Sequence, residues 1–484
     1  MINVRQVIKL KTVHFIGIGG IGTSALARWF LTHNWKVSGS DSDASSITDA
    51  LEKEGAKIFI GHSVKNISQK IKLVIYSAAI SAKNPEFKQA EFLKIPIQSY
   101  AEFLGYLTKQ YKTLAVSGSH GKSTTTALLS LVLIKAGFDP TVIIGTKLKE
   151  FRDSNFRNGK SEYLVLEADE YQRSFLRYSP VAAIITNIDR EHLDIYKNLN
   201  EIKKVFLKFI DNIQSGGILV VNKDDKNLFG LKNQIQKIAH KNKLKIFWYG
   251  KNVIASRRRS NPNMSILSKR ISAVLKIAGD HNLSNALAAH ALAKALKISD
   301  KDIFAAIGGY RGAWRRMEYR GELRIKNKEL RIKQKGIIHN SLFKIPVYDD
   351  YAHHPTEIKA TLAGIAQKWP KTAIICVFQP HQAQRLSALF KEFTGAFDNA
   401  DVLILLDIFK VKGRDIMSQN INSKKLAEAI KKRKFGPKII YLPSPKKLPE
   451  IIKNLLKAKS SKLKAIIVMM GAGDIYKMTD SLIQ

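Results

Sequence analysis

The stretch A-V-S-G-S-H-G-K-S-T-T-T, residues 115–126, constrains the fold of this chain more than any other feature. An apolar run ends there in two glycines, and a lysine, a serine and three threonines lead into a second apolar run. This order predicts a strand, a turn whose backbone N–H groups surround a phosphate, and a helix. The common nucleotide loop places its glycines about five residues apart, whereas Gly118 and Gly121 are three apart. We therefore expect a nucleotide-binding α/β domain with a shortened loop that carries His120.

The shortened loop supplies most of the candidate ATP ligands. The amino group of Lys122 can reach nucleotide phosphates, and the hydroxyl of Ser123 can bind Mg²⁺. Backbone N–H groups at the start of the following helix add a positive dipole end. The candidates for ATP binding in this loop are Gly118, Ser119, His120, Gly121, Lys122, Ser123 and Thr124.

Two apolar runs further along the chain end in polar residues. The first predicts a strand that ends at Glu167, and the second leads into T-N-I-D-R-E-H-L-D, which contains His192. In a parallel sheet the carboxyl ends of neighbouring strands meet at one edge, where ligand sites collect. Glu167 and His192 are therefore candidates for binding a metal or positioning a water. His192 could instead be an ordinary surface imidazole.

The segment G-D-H-N-L-S-N, residues 279–285, predicts the start of another helix. Asn282 and Asn285 fall on its first turn. Their amides can cap the helix or hydrogen-bond the edge of an adenine.

Residues 12–41 show a strand, a glycine-rich turn, an amphipathic helix and a second strand. Gly17, Gly19 and Gly22 form G-x-G-x-x-G, and Asp41 closes the second strand. Such a turn brings backbone N–H groups close to a diphosphate, and the acid can accept from a ribose hydroxyl. A further strand ends near Ser77, at the same predicted edge. The glycines could instead serve packing alone, and a dehydrogenase would explain them but not the second loop.

The last third of the chain again alternates apolar strands with polar crossings and helices, which indicates an α/β sheet. Asp349, Asp350, His353, His354 and His381 all follow predicted strands. A zinc site is disfavoured, because the adjacent histidines 353 and 354 do not face the same way on a strand or a helix.

Length and composition agree with a cytoplasmic globular protein. A chain of 484 residues is too long for one ordinary core, so we expect about three domains. No apolar run approaches the ~20 residues that span a bilayer, and the first residues lack a signal-peptide pattern. The single cysteine, Cys376, lies in the apolar run A-I-I-C-V-F and is predicted to be core.

The formal net charge is +40, from 80 Lys and Arg against 40 Asp and Glu. A nucleic-acid-binding protein is one interpretation. The lysines are scattered, however, and no zinc-finger or aromatic single-strand pattern accompanies them. A lysine-rich surface that suits polyanionic substrates is the favoured interpretation.

Taken in order, the motifs resemble those of the Mur ligases. They are G-I-G-G-I-G, G-S-H-G-K-S-T-T, E-A-D-E, T-N-I-D-R-E-H-L-D-I-Y, H-N-L-S-N, W-R-R, D-D-Y-A-H-H-P-T-E, F-Q-P-H and G-A-G-D-I. The resemblance covers nearly the whole chain and accounts for the short loop, because this family uses G-x-x-G-K-[ST]. It implies three α/β domains: a Rossmann-like UDP-substrate domain (1–108), a P-loop-type central ATPase domain (109–310) and a Rossmann-like amino-acid-binding domain (311–484).

The resemblance also implies an activity. D-D-Y-A-H-H-P-T-E and Q-P-H are typical of the members that join L-alanine to UDP-N-acetylmuramate with ATP and Mg²⁺, a cytoplasmic step of peptidoglycan synthesis and cell wall biogenesis. The alternative within the family is attachment of a murein tripeptide during recycling. A monomer and a homodimer are both compatible with the sequence.

Site residues follow from the family motifs. The implied catalytic residues are Lys122, His192, Arg315, Arg316 and His353. The implied metal ligands are Ser123 and Glu167 for one Mg²⁺ and His192 for a second. Beyond the loop, ATP binding is implied for His281, Asn282, Asn285 and Asp350. Substrate binding is implied for Gly17, Gly19, Gly22, Asp41, His62 and Ser77 on the UDP side, and for Tyr351, His381 and Arg385, together with His353, on the L-alanine side.

The chain departs from the family pattern at three places. Ser123 replaces a threonine and keeps the hydroxyl. Gln382 stands where the family tends to have arginine after Q-P-H, so one of two arginines expected at the amino-acid carboxylate is missing. Residues 324–344 look like a basic insertion with seven Lys and Arg. Its alternating pattern predicts a solvated β-hairpin, and a partner-binding arm is the alternative.

Overall fold

A computed structural model of the protein describes residues 11–251, 262–334, 337–409, 421–457 and 464–483. The described residues up to 275, together with 283–310, form one compact unit, and residues 276–282 with the described residues from 311 form a second. The first unit holds two sheets and the second unit one. The first predicted domain border lies within a helix that spans Tyr100–Gln110. The three-domain borders stay a prediction.

The first sheet is fully parallel, with five strands in the order β3-β2-β1-β4-β5. The strand order reverses beside β1, and ligand crevices form at such points outside the carboxyl ends of the strands. Its elements are β1 (Thr12–Ile16), α1 (Ile21–Thr32), β2 (Lys36–Asp41), α2 (Ser46–Lys53), β3 (Lys57–Ile60), β4 (Leu73–Tyr76), α3 (Pro85–Phe92), β5 (Ile97–Ser99) and α4 (Tyr100–Gln110), with a 3-10 turn at Val64–Asn66.

The second sheet has seven strands in the order β12-β11-β10-β6-β9-β7-β8, all parallel except for the β7–β8 pair. Its strands are β6 (Lys112–Ser117), β7 (Thr141–Leu148), β8 (Ser154–Arg157), β9 (Tyr163–Glu167), β10 (Ala182–Ile185), β11 (Ile218–Asn222) and β12 (Lys245–Tyr249). The helices that follow in the chain are α5 (Lys122–Lys135), α6 (Leu199–Asp211), α7 (Lys226–Gly230), α8 (Lys232–Lys241), α9 (Pro262–Val274), α10 (Asp280–Ala295) and α11 (Asp300–Gly309); 3-10 turns span Lys149–Phe151 and Tyr171–Arg177.

The third sheet has six strands in the order β13-β14-β18-β15-β16-β17, with only β13 and β14 antiparallel. Its strands are β13 (Glu318–Gln334), β14 (Ile337–Asp350), β15 (Ala373–Phe378), β16 (Val402–Leu406), β17 (Lys438–Leu442) and β18 (Ala465–Met470). The helices are α12 (Pro355–Lys368), α13 (Ala383–Ala388), α14 (Phe390–Thr394), α15 (Ser423–Lys431), α16 (Leu448–Lys457) and α17 (Tyr476–Ile483), and a 3-10 turn spans Pro445–Lys447.

Local sequence explains many of these elements. Strands β10 and β18 are continuous apolar runs, and every residue in them is buried, as expected for central strands covered on both faces. Helix α4 starts at a capping box, in which Ser99 Oγ accepts from the backbone N–H of Glu102 and the Glu102 carboxylate accepts from that of Ser99. Cys376 is fully buried in β15, and its core placement is confirmed.

A hydrogen-bond network around the buried Arg28 joins the first two sheets within the first unit. Arg28 on α1 donates to both carboxylate oxygens of Glu54 and, through Nη1, to Asn155 Oδ1 on β8 at 2.7 Å. The Asn155 amide in turn donates to Ser24 Oγ at 2.9 Å and to the backbone carbonyl of Ile21. Since every partner is hydrogen-bonded, the burial of the Arg28 charge is compensated.

The antiparallel pairing of the hairpin predicted over residues 324–344 is confirmed, and its predicted exposure to solvent stays a prediction. Strands β13 and β14 pair antiparallel, with a register irregularity between Lys326 and Arg331. Residues 335 and 336 and the side chains of 325–343 lie outside the described residues, so the partner-binding alternative for this hairpin stays a prediction.

Within the described ranges, no helix is both long and apolar enough to cross a membrane.

Candidate active site

The shortened loop connects β6 to α5 and depends on two glycines in left-handed backbone conformations. Gly118 has φ +138° and Gly121 has φ +81°. A Cβ atom on Gly118 would lie 2.0 Å from Thr186 Oγ1, and one on Gly121 would lie 2.4 Å from Asn285 Oδ1. No side chain caps the N-terminus of α5. The helix therefore presents backbone N–H groups and its positive dipole end where a phosphate can bind.

The T-N-I-D segment after β10 holds this loop in place. Asn187 Oδ1 accepts from the backbone N–H of His120 at 2.8 Å, and Asn187 Nδ2 donates to the His120 carbonyl at 2.9 Å. Thr186 Oγ1 donates to the same carbonyl at 2.7 Å. The imidazole Nε2 of His120 lies 3.0 Å from Asp189 Oδ2. Thr186, Asn187 and Asp189 were not among the predicted site residues, although polar residues directly after an entirely apolar strand indicate such a site.

Lys122, the first residue of α5, forms a buried ion pair with Glu170. Its Nζ donates to Glu170 Oε2 at 2.8 Å and to the Gly118 carbonyl at 2.9 Å. His192 Nε2 lies 3.3 Å from the other oxygen of the same carboxylate, and Asp169 Oδ1 lies 3.5 Å from Lys122 Nζ. Strand β9 and the segment after β10 bring these groups to one edge of the sheet. Lys122 and His192, which were predicted separately as site residues, both contact Glu170.

The electrostatics of this cluster favour charged side chains. Burial by itself would raise the pKa of Glu170, but the charges of Lys122 and His192 outweigh burial and lower it. Burial would lower the pKa of Lys122 and of His192, and their contacts with Glu170 raise both instead. Glu170 is therefore a carboxylate and Lys122 an ammonium at neutral pH.

Ser123 and the partly buried Glu167 form a second pair next to the first. Ser123 Oγ donates to Glu167 Oε1 at 2.9 Å, and the backbone N–H of Gly145 donates to Glu167 Oε2 at 2.7 Å. Burial raises the pKa of the Glu167 carboxyl. A bound cation would favour the charged form of this carboxylate, so the side chain suits the predicted role of metal ligand.

The donor set on this edge fits a divalent cation. Ligand atoms of Asp169, Glu170 and His192 all lie within 4.8 Å of one another. Carboxylate oxygens are the ligands that Mg²⁺ prefers. Ser123, Glu167 and His192 were the predicted metal ligands. Asp169 and Glu170 were not predicted, although the E-A-D-E motif places both just after the end of β9.

The glycine turn of the first sheet has the predicted strand–turn–helix form. Gly17 has φ +82°, and the backbone N–H of Gly19 donates to Asp41 Oδ2 at 2.8 Å. Asp41 thus stabilises the turn itself in this structure, and its contact with a ribose stays a prediction.

Close packing explains part of the same glycine pattern. A Cβ on Gly22 would lie 3.0 Å from the ring of Tyr100, and one on Gly17 would lie 3.0 Å from Ser77 Cβ. The alternative that these glycines serve packing alone is therefore supported at Gly22. The short distance between Gly17 and Ser77 places these two residues together at the predicted edge of the sheet.

In the second unit, Arg315 is buried and held by the G-A-G-D loop. Its guanidinium donates to the carbonyl oxygens of Gly471 and Gly473, the latter at 2.8 Å. The rings of Tyr351 and Tyr476 lie 4.9 and 4.5 Å from its Cζ atom. In this conformation Arg315 positions a loop, and its predicted contact with phosphate or substrate stays a prediction.

Two further predicted residues of this unit, Arg316 and His353, lie beside Glu357, which was not among the predicted site residues. His353 Nδ1 lies 3.3 Å from Glu357 Oε2, and Arg316 Nη1 lies 3.7 Å from Glu357 Oε1. The His353 and His381 rings are 6.2 Å apart, and the His381 ring stacks on Phe409 at 5.6 Å. The rings of His353, His381 and Phe409 therefore lie side by side, and aromatic side chains of this kind commonly line small-molecule sites.

Arg385 and Gln382 belong to the same region. Arg385 Nη1 donates to the His381 carbonyl at 3.3 Å. Gln382 has φ +68°, an uncommon conformation for a residue other than glycine. Such conformations cluster at functional sites.

Asp350 ends strand β14, and its carboxylate accepts from the backbone N–H groups of Met317 at 2.9 Å and Ala352 at 2.8 Å. Burial raises the pKa of Asp350 to about 6. Its predicted role in ATP binding stays a prediction.

The adenosine-side candidates are divided between the two units. Asn285 lies beside Gly121 in the first unit. His281 and Asn282 belong to the second unit, where Asn282 Nδ2 donates to the Ala278 carbonyl at 2.6 Å.

Three family models match the chain: the Mur ligase family catalytic domain at residues 12–112, the Mur ligase middle domain at 116–293 and the Mur ligase glutamate ligase domain at 337–473. A UDP-N-acetylmuramate–L-alanine ligase of Clostridium kluyveri is 40% identical, with 97% of each chain covered. The ligase of the same name from Clostridium perfringens is 39% identical, with 97% of this chain and 96% of the relative covered.

Solved structures agree with these relatives. The UDP-N-acetylmuramate–alanine ligase of Thermotoga maritima superposes with a TM-score of 0.73 and 25% identity, covering 97% of this chain and 98% of that one. A murein peptide ligase of Psychrobacter arcticus shares the fold at a TM-score of 0.65 and 21% identity, with 98% of each chain covered. The three-domain α/β architecture and the sequence together place this chain in the Mur ligase family.

Proposed function

We propose that this chain is an ATP-dependent ligase that joins L-alanine to the carboxylate of UDP-N-acetylmuramate in peptidoglycan precursor synthesis. The observation that carries the proposal is the buried Lys122 ammonium at the N-terminus of α5, beside Glu170 and His192. The substrates follow from relatives that are 40% identical over nearly the full length and bear that activity in their names. The proposal includes a cytoplasmic location, where ATP is available.

The reaction has two displacements. A carboxylate oxygen of the muramyl group forms a bond to the γ-phosphorus of ATP as the bond to ADP breaks, which gives an acyl phosphate. The uncharged amine of L-alanine then attacks the acyl carbon, and inorganic phosphate leaves as the amide forms and the amine loses a proton. Phosphoryl transfer of this type depends mainly on positioning and on neutralising charge.

Lys122 is the residue of this chain best placed to neutralise the transferring phosphate. Its ammonium already lies beside the Gly118 carbonyl, inside the loop, and one rotation of the flexible side chain can redirect it. The N–H groups of α5 act on the same phosphates. The T-N-I-D segment after β10 holds the loop in place before the reaction. Little reorganisation of the loop is therefore needed when negative charge develops on the transferring phosphate.

Mg²⁺ would be held by Ser123 and Glu167, by Asp169 and Glu170, and by His192 once its imidazole has released a proton. When bound, it supplies positive charge that offsets the phosphate oxygens. In the second unit, Tyr351, His353, His381 and Arg385 are proposed to surround L-alanine. In the first sheet, Gly17, Gly19 and Asp41, with His62 and Ser77 nearby, are proposed to bind the UDP portion.

Phosphate release in the presence of ATP and Mg²⁺ tests the proposal. Release is expected only when UDP-N-acetylmuramate and an amino acid are both present, with L-alanine the best of a panel that includes glycine and L-serine. The new amide is confirmed by the mass of the product. The proposal fails if murein tripeptide replaces L-alanine with a higher kcat/KM, or if no amino acid supports release.

A further inference from the structure

A carboxylate with no assigned role lies buried in the first sheet domain. Glu86, on the first turn of α3, has no exposed surface. Its Oε2 accepts from Ser40 Oγ at 2.5 Å, and its Oε1 accepts from Asn66 Nδ2 at 2.5 Å. The contacts are completed by the backbone N–H of Ser63 at 3.2 Å and by His14 Nε2 and His62 Nδ1, each at 3.5 Å.

Glu86 is charged at neutral pH. Burial would raise the pKa of its carboxyl, but the neighbouring His14 and hydrogen bonds from Ser40 and Asn66 outweigh burial and lower it to about 2. A carboxylate in this state has acceptor sites only. Every group that hydrogen-bonds to it must therefore donate.

The charge on Glu86 also determines which atom donates in the hydrogen bond between Ser40 and His62. The Ser40 hydroxyl has one proton, and that proton points at Glu86. Ser40 Oγ also lies 2.9 Å from His62 Nδ1, and it can only accept there. The proton between them is therefore on His62 Nδ1. In the neutral imidazole, Nε2 is then the unprotonated nitrogen and an acceptor.

His62 lies where its side chain could contact a ligand of the first sheet. His62 follows β3 at the carboxyl edge of the sheet, and the N–H of the preceding Gly61 donates to the Asp41 carbonyl at 2.7 Å. The backbone carbonyl of Ser40 accepts from Gly17 N at 2.8 Å, in the glycine turn. Ser40 therefore connects the turn and the imidazole, and the His62 side chain is still 21% exposed at this edge.

We propose that Glu86 and Ser40 are positioning residues that hold His62 in its Nδ1–H tautomer, so that Nε2 accepts a hydrogen bond from an O–H or N–H group of the UDP portion of the substrate. The identity of the ligand rests on the proposed function. The tautomer itself follows from the contacts of the three side chains.

Glu86→Gln is expected to reverse the chain of hydrogen bonds. Asn66 and Ser63 both donate toward Oε1, so the amide oxygen takes that position and the amide NH₂ faces Ser40. Ser40 Oγ then accepts from the amide and donates its proton to His62 Nδ1. His62 becomes the Nε2–H tautomer and offers a donor where the ligand needs an acceptor.

The test is a long-range proton–nitrogen NMR spectrum of the full-length protein labelled with ¹⁵N-histidine. The His62 signals are identified by their loss in His62→Asn. We expect a protonated Nδ1 in the parent and a protonated Nε2 in Glu86→Gln. Glu91→Gln, an exposed position on the same helix, is the matched control and should leave the tautomer unchanged.

UDP affinity, measured by titration calorimetry, is the second measurement. Loss of one neutral hydrogen bond should weaken UDP binding by about threefold to tenfold in Glu86→Gln and in His62→Asn. Binding of 2′-deoxy-UDP and of CDP then distinguishes the donor. If His62 accepts from a given group of UDP, the analogue that lacks this group should bind the parent more weakly than UDP does. The same analogue should bind Glu86→Gln as well as UDP does.

The inference is overturned if His62 remains Nδ1–H in Glu86→Gln, whatever the UDP affinity. If Glu86→Gln does not fold, a protonated Nε2 with an unprotonated Nδ1 on His62 in the parent overturns it as well. If the parent shows the expected tautomer but does not bind UDP, the proposed function fails and the hydrogen-bond arrangement stands.

Discussion

Lys122 Nζ lies 2.8 Å from Glu170 Oε2, and the two side chains are only 12% and 2% exposed. The pair lies at the N-terminus of a helix, which favours the carboxylate and opposes a second positive charge. The negative charge of Glu170 therefore offsets both the positive end of the helix dipole and the Lys122 ammonium. Removing one partner leaves the other charge buried, so activity and stability change together at this site.

Lys122→Ala is expected to lower the rate of phosphate release at least about 100-fold, since a preorganised charge of this kind contributes ~3 kcal/mol or more to the transition state. It should also destabilise the protein by ~3 kcal/mol, because Glu170 loses its partner. The double variant Lys122→Ala/Glu170→Gln should regain stability in urea unfolding and stay inactive. Turnover within about threefold of the parent in Lys122→Ala would contradict the assignment.

Glu167→Gln and Glu170→Gln are expected to raise the Mg²⁺ concentration that gives half-maximal activity. Each keeps the shape of the side chain and removes the charge that a hard cation prefers. His192→Ala should shift the Mg²⁺ titration in the same direction. Glu162→Gln serves as the control, because Glu162 forms an exposed pair with Lys112. If all three variants follow the parent titration, the metal binds elsewhere.

Stability should depend on pH through Asp350. Its pKa in the folded protein is about 6, above the ordinary value of 3.8, because the carboxyl is buried. Between these pH values the folded protein retains a proton that the unfolded chain has lost. The resulting stability is present below pH 3.8 and is lost as the pH rises to about 6, by up to about 3 kcal/mol.

Urea unfolding of the parent and of Asp350→Asn at several pH values between 4 and 6 measures this effect. The free energy of unfolding of Asp350→Asn should fall less over this range. Glu428→Gln, at an exposed position of the same unit, should follow the parent. Parallel curves for the parent and Asp350→Asn would show that Asp350 keeps its ordinary pKa.

Gln382→Arg is expected to lower the KM for L-alanine several-fold without raising kcat. A second guanidinium near Arg385 would add a charge-assisted hydrogen bond to the amino-acid carboxylate, worth about 1.5–3 kcal/mol, in the ground state and the transition state alike. KM values for L-alanine, glycine and L-serine on both proteins check this. In the parent, discrimination among the three should be modest, since a methyl group is worth only about 1–3 kcal/mol.

Gln384→Arg is the control for charge alone, because it adds the same group two residues along on α13. An equal effect of both substitutions would indicate long-range attraction. An unchanged or higher KM in Gln382→Arg would show that residue 382 is not at the carboxylate, or that the acceptor is a peptide.

Strand β6, the loop of Gly118 and Gly121, and helix α5 were predictable from sequence because each depends on neighbours in the chain. Glycine spacing sets the turn, apolar runs set the buried strands, and the polar residue after each strand marks the edge where ligands bind. The same local logic gave the hairpin of β13 and β14. The order of the motifs indicated the family, and the family indicated the expected substrates.

Only the tertiary structure decided which polar groups meet. Glu170 joins Lys122 across 48 positions of sequence, Asn187 clamps His120 across 67, and Glu86 reaches Ser40 across 46. Strand order and the packing of the sheet edge create these contacts, and neither is encoded in a local pattern. Buried charges are tolerated only with such partners, so the environment of each carboxylate is a property of the folded chain, whereas its place at a strand or helix end is a property of the sequence.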